Sequence, residues 1–152
     1  MSGHLTITQL RRTAQITQEW INDLAARPPM ESPEQAYSVL RAVLHTVRDR
    51  ITSEQVAHLG SQLPMLMRGF YFEGWRPASP PNGVNTAEAF FERVEESLRT
   101  GPHSEAPDPA ESTRTVLRFL ADRVGDGEIR HVKEQLPVEI AELFPEQTRA
   151  SS

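Results

Sequence analysis

The sequence predicts an all-α fold: an internally duplicated helical bundle, two four-helix repeats related by pseudo-twofold symmetry. Three observations predict it. Residues 13–71 laid over residues 86–144, with no gap, bring like residues into line. Apolar residues recur at three- and four-residue spacing along most of the chain. Prolines and capping residues punctuate that pattern, and the only period-two alternation, Leu5-Thr6-Ile7, is too short for a strand.

A self-match at fixed offset is read before any other pattern, because missing it misassigns the fold. Here Thr13, Ala14 and Glu19 fall on Thr86, Ala87 and Glu92. Val43 and Leu44 fall on Val116 and Leu117, and Asp49-Arg50-Ile51 on Asp122-Arg123-Val124. Val56, His58, Leu59, Gln62, Leu63 and Pro64 fall on Ile129, His131, Val132, Gln135, Leu136 and Pro137. The expected organisation is a single domain over residues 8–145. Its parts are repeat one (8–73), a linker (74–84) and repeat two (85–145), with flexible ends at 1–7 and 146–152.

The first helix is predicted from Thr8 to Ala26, with Ile16, Trp20, Ile21 and Leu24 on one face. Arg27-Pro28-Pro29 ends it, since proline disfavours helix at the preceding residue. Ser32 caps the second helix with Pro33 at its first position, and the stripe Ala36, Leu40, Val43, Leu44, Val47, Ile51 faces inward. Thr52 and Gln55 read as a capping box for a short third helix carrying Val56 and Leu59. Pro64 opens the fourth, with Met67, Phe70 and Tyr71, because a helix interior would not tolerate it there. Gly74 to Val84 is rich in Pro and Gly. Asn85 and Glu88 read as a capping box for the fifth helix (Phe90, Phe91, Val94, Leu98), followed by a polar loop from Thr100 to Pro107. Asp108 and Pro109 open the sixth helix (Val116, Leu117, Leu120, Val124), Asp126 caps the seventh (Ile129, Val132), and Pro137 opens the eighth (Ile140, Leu143, Phe144). One four-helix unit offers too little core alone, so the two are expected to bury their apolar faces on each other.

Composition narrows the function. No cysteine is present, which removes disulfides, thiolate metal sites and a cysteine nucleophile. No signal peptide and no apolar run near 18 residues is found, so a cytoplasmic protein without membrane contact is expected. A net charge of −5 argues against nucleic-acid binding, which depends on neutralising phosphates. A helix-turn-helix over Thr52 to Glu73 fails too, because Met65-Leu66-Met67 would stand where a recognition helix presents polar groups to base edges. Lys133 is the single lysine, and the arginine excess reads as coding bias more readily than as anion binding.

Residues alike in both repeats read first as structural, because a single active site rarely needs duplicating. Leu63-Pro64, Leu136-Pro137, Asp49-Arg50 and Asp122-Arg123 belong there. His58 and His131 pose the sharper question: a symmetric metal or proton site between the halves, or histidines that bond their own helix or bend. His45 with Asp49, one turn apart, is a weaker pair, while His4 and His103 read as terminal or loop residues. What only the first repeat carries is the tract Arg68-Gly69-Phe70-Tyr71-Phe72-Glu73-Gly74-Trp75-Arg76-Pro77. Arg68, Tyr71, Trp75 and Arg76 are therefore candidate contact residues, set against a reading in which the aromatics cover the core and Gly74 ends the helix. No phosphate-cradling glycine loop, no nucleophile elbow and no zinc motif is present.

Residues 39–50 (VLRAVLHTVRDR), then His58-Leu59-Gly60-Ser61-Gln62-Leu63-Pro64, then Arg68 through Trp75, resemble the uncharacterised bacterial family named domain of unknown function 2267. The resemblance runs over roughly residues 10 to 145. It implies an all-helical, internally duplicated domain in a cytoplasmic setting, and neither an activity nor catalytic residues.

The sequence thus leads to a non-enzymatic protein-interaction or structural module, with a protein partner or a homodimer, in a groove near Met65, Tyr71 and Trp75. No cofactor, metal or catalytic residue is assigned. The alternative is a small-ligand or metal-binding protein using His58 and His131, or the region from Arg68 to Trp75 and Arg76.

Overall fold

The computed structural model describes residues 7–100 and 107–146. Among these residues the chain forms eight helices and no strand. They are α1 (Thr8–Ala25), α2 (Pro33–Arg48), α3 (Ser53–Gly60), α4 (Met65–Phe72), α5 (Ala87–Arg99), α6 (Pro109–Arg123), α7 (Asp126–Gln135) and α8 (Val138–Ala141). The expectations for Leu5, Thr6, His4, His103 and the chain after residue 146 lie outside the described residues.

The helix boundaries follow local chemistry. Ser32 Oγ accepts the Gln35 N–H at 3.0 Å, and Asp108 Oδ2 accepts the Glu111 N–H at 2.9 Å, each followed by proline at the first helical position. Both bonds satisfy donors that a helix start leaves unpaired. Pro64 and Pro137 stand just before α4 and α8. Gly74, two residues past α4, has φ +77°, a left-handed conformation that suits glycine at a helix end.

Three expected caps are corrected. Thr52 Oγ1 does accept the Gln55 N–H at 3.2 Å, but the Gln55 side chain does not reach back. The Thr52 N–H is taken instead by Gln135 of α7. The fifth helix is capped by Thr86 rather than Asn85, whose side-chain oxygen accepts from Arg50 at 2.9 Å. The seventh begins after Gly125, which carries no side-chain cap, and Asp126 is its first residue.

α2 is the central helix. It packs against α1, α4, α5 and α6, and its Val39, Leu40, Val43 and Leu44 are all fully buried. The α1–α2 and α1–α4 contacts close one side of the molecule, and α5–α6 and α5–α8 the other. The sides meet along α2–α5, α2–α6 and α3–α7. The buried apolar residues form one continuous cluster drawn from both.

Two details fix that meeting. The Gln62 side-chain oxygen accepts the Gly125 N–H before α7 at 3.2 Å, and the Gln135 side-chain oxygen accepts the Thr52 N–H before α3 at 2.9 Å. Each side thus caps a helix start on the other. Within the first side, α3 presses onto α4 at Gly60, where an added Cβ would stand 2.8 Å from Phe72 Cζ and 3.0 Å from Tyr71 Cε2.

Segment 74–84 is held down rather than loose. Asn82 donates its backbone N–H to Asp49 O at 2.9 Å and its side-chain amide to Thr46 O at 3.2 Å. Arg50 Nε donates to Val84 O at 3.0 Å, and Val84 is buried.

Leu63 and Leu136, before the two bend prolines, are 2 % and 7 % exposed. Leu63→Ala and Leu136→Ala are each expected to destabilise by about 2–5 kcal/mol, the usual cost of truncating a buried leucine. Chemical denaturation checks this, and a variant with an unchanged midpoint would remove its leucine from the core.

Candidate functional site

α3 and α7 bring together the most unusual polar cluster of the molecule. Glu128 sits in the first turn of α7 with its side chain only 1 % exposed. A carboxylate is rarely so buried without partners, because removing charge from water is costly. Glu128 has two partners on α3. Gln55 donates its side-chain amide to Oε2, and the imidazole Nδ1 of His58 bonds Oε1. Gln135 Nε2 donates to Gln55 Oε1 at 3.0 Å, which fixes the Gln55 amide so that its nitrogen faces Glu128. The chain Thr52–Gln135–Gln55–Glu128–His58 therefore runs continuously across the junction.

A buried carboxylate that holds one ring nitrogen orients an imidazole and leaves the other nitrogen available. The His58 side chain is 63 % exposed. His131, at the matching position of the other half, is exposed and forms no hydrogen bond with a described residue. Among the described residues no three His, Asp or Glu side chains gather as metal ligands, fewer than zinc requires. The cluster ties α3 to α7.

A second set of polar bonds surrounds the end of α4. Arg48 is 4 % exposed. Its guanidinium grips Asp49 through Nε at 2.7 Å and Nη2 at 3.0 Å, and Nη1 donates to Tyr71 O at 2.7 Å and Glu73 O at 2.8 Å. These are the carbonyls a helix end leaves unpaired, and a cation suits that end of the dipole. Arg41 pairs with Glu73 at 2.6 Å and holds its exposed carboxyl below the usual range. His45 Nε2 stands 2.6 Å from Phe70 O. A carbonyl only accepts, so Nε2 carries the proton there. The pair of His45 with Asp49 expected from their spacing is not formed, because Asp49 is taken by Arg48.

The candidates of the aromatic tract separate. Arg68 Nε donates to Leu63 O at 3.0 Å and Nη2 to Ser61 O at 3.3 Å, so its charge serves the α3–α4 bend. Tyr71 is fully buried, its hydroxyl donates to Val56 O at 2.7 Å, and burial raises its pKa. It offers a partner no surface, a correction to its place among the contact residues. Trp75 is half-buried, its ring 5.4 Å from that of Phe72, and Arg76 is exposed. Met65 is 55 % exposed at the opposite end of α4, so Met65, Tyr71 and Trp75 do not line one groove.

Sequence reasoning passed over Glu128 and Arg48, and read Gln55 only as a capping residue. Signals existed for each. Gln55 and Glu128 occupy matching positions in the two halves, three residues ahead of the matched histidines. Arg48 follows Leu44 by four residues on the inward stripe of α2, where a charge needs buried partners.

The family described as "Uncharacterized conserved protein (DUF2267)" matches residues 17–143. The chain belongs to this family. The match covers the bend motifs, the aromatic tract and the α3–α7 cluster, which are accordingly features of a family member. No curated protein sequence matches the chain. No helix among the described residues is long and apolar enough to cross a membrane.

His45 gives a pH dependence. Burial, the largest influence, lowers its pKa from 6.5, with Arg48 and Arg41 adding to the effect. The unfolded chain then binds more protons than the folded one once pH falls below the ordinary histidine value, so stability drops as pH falls. Denaturation at about pH 7.5 and about pH 5.5 is expected to show a smaller loss for His45→Gln than for the natural chain. An equal loss would place the titration elsewhere.

Proposed function

We propose that this chain is a non-enzymatic helical interaction module, one domain over residues 8–145 built from two copies of a four-helix unit, which presents an apolar patch to another protein. One observation carries the functional part. Ile7, Leu10, Met65 and Leu66 are 54 %, 43 %, 55 % and 50 % exposed. They belong to the starts of α1 and α4, which pack together, with the Leu66 N–H donating to Thr13 Oγ1 at 2.8 Å. Leu10 lies one turn before Thr13 on the same stripe, and Ile7 one turn before that. Exposed apolar residues gathered in this way mark association surfaces more often than isolated ones do.

The use of the other candidate groups supports the same reading. The donors of Arg68 and the hydroxyl of Tyr71 serve backbone carbonyls, and His58 is held by Glu128. The duplication is supported by the reciprocal caps. Gln62 and Gln135 match in the sequence overlay, and so do the residues they cap, Gly125 and Thr52. Met65 and Val138 match as well, and both are exposed. The proposed setting is the cytoplasm, which suits a chain without cysteine.

The test replaces two exposed residues, as Met65→Glu with Leu66→Glu. Surface changes of this kind are expected to move stability by less than about 1 kcal/mol. Sedimentation and affinity capture from the source cell should show either self-association or a bound protein with the natural chain, lost in the double variant. A natural chain that stays monomeric and bare, like the variant, would overturn the proposal.

A further inference from the structure

Segment 74–84 forms, with the end of α2 and the start of α3, a cleft of about 320 Å³. That lies at the small end of the range for ligand pockets, roughly 300–1,000 Å³. Its apolar lining comes from Trp75, Ile51, Pro80 and Pro81. The indole of Trp75 packs against the Phe72 ring, and the Trp75 backbone N–H donates to Phe72 O at 3.0 Å. It is a flat aromatic wall, only half-buried.

The polar lining has an uneven balance of donors and acceptors. The one carboxylate, Asp49, has both oxygens taken by Arg48. The Asn82 side chain is spent in both directions, on Thr46 O and on the Val84 N–H. The Ser53 hydroxyl donates to Pro77 O at 3.2 Å. What is left over donates. The guanidinium of Arg76 forms no hydrogen bond with a described residue, and neither does the hydroxyl of Ser79. The cleft thus carries two arginines against one neutralised aspartate in a chain of net charge −5. A guanidinium free to fork onto an anion, beside an aromatic face, suits a ligand that carries both an anion and a ring.

We propose that this cleft binds a small ligand made of a planar ring bearing an anionic group, the ring on Trp75 and the anion on Arg76. The site is independent of the apolar patch at α1 and α4, on another part of the surface.

The experiment follows the Trp75 indole N–H by NMR in the full chain, with the Trp20 indole as internal control. Benzoate and phenyl phosphate supply ring and anion together, acetate and inorganic phosphate the anion alone, and benzamide the ring alone. The first two are expected to shift Trp75 saturably and leave Trp20 unmoved. The ring-only and anion-only probes should bind about tenfold more weakly or worse, and Arg76→Gln should cost the same about tenfold, the scale of one charge-assisted bond. The Arg76 side chain is exposed and makes no hydrogen bond with a described residue, so Arg76→Gln is expected to melt like the natural chain. The proposal is overturned if neither ring-bearing anion gives a saturable shift. It is equally overturned if benzamide binds as well as benzoate, or if Arg76→Gln changes nothing.

Discussion

Leu44, Val47 and Leu59 from α2 and α3, Leu117, Leu120, Ile129 and Val132 from α6 and α7, and Phe144 just after α8 converge on one small apolar void. Each set of helices completes the core of the other. Alone, α1–α4 would expose the inner faces of α2 and α3, and α5–α8 those of α5, α6 and α7. Half of so short a chain buries too little apolar surface to offset the entropy of ordering it. The reciprocal caps from Gln62 and Gln135 and the Gln55–Glu128–His58 cluster sit at the rim of this shared core. Apolar contact is non-directional, and these bonds supply the register that it lacks.

The same constraint explains where the polar side chains went. A fold built from short helices has many helix ends, and each end leaves backbone donors or acceptors unpaired. Here arginine and glutamine side chains fill that need. Arg48 covers carbonyls at the end of α4, Arg68 those near the end of α3, Arg50 that of Val84, and the two glutamines cap α3 and α7. Residues that look like binding groups in the sequence are therefore largely consumed by the backbone. Arg76 and the exposed apolar residues of α1 and α4 are not consumed in this way, and the proposed contacts rest on them.

The helices were legible because their signals are local. Apolar spacing placed α2 and α6, and proline placed the starts of α4 and α8. The cap at Asn85 was misread because Asn85 and Thr86 are both competent caps, and a distant residue, Arg50, claims the first of them. The Thr52 box was misread for the same reason: Gln55 turns to Glu128, about seventy positions away in sequence, and Gln135 replaces it. The aromatic tract shows the limit most plainly. Tyr71 and Trp75 lie four residues apart, yet one is sealed in the core and the other lines a cleft, because Gly74 turns the chain between them. Composition marks such residues as contact candidates, and only packing separates them.

The two sets of helices are expected to stand or fall as one unit across α2–α5, α2–α6 and α3–α7. Native-state hydrogen exchange tests it most directly, read at the slowest amides of α2 and α6 in the natural chain and in Gln62→Ala. Both helices are expected to exchange through the same global opening, with one free energy. Losing the Gln62 cap is further expected to lower both together, by about 1 kcal/mol. Exchange of α6 through a separate, cheaper opening that leaves α2 protected would contradict it.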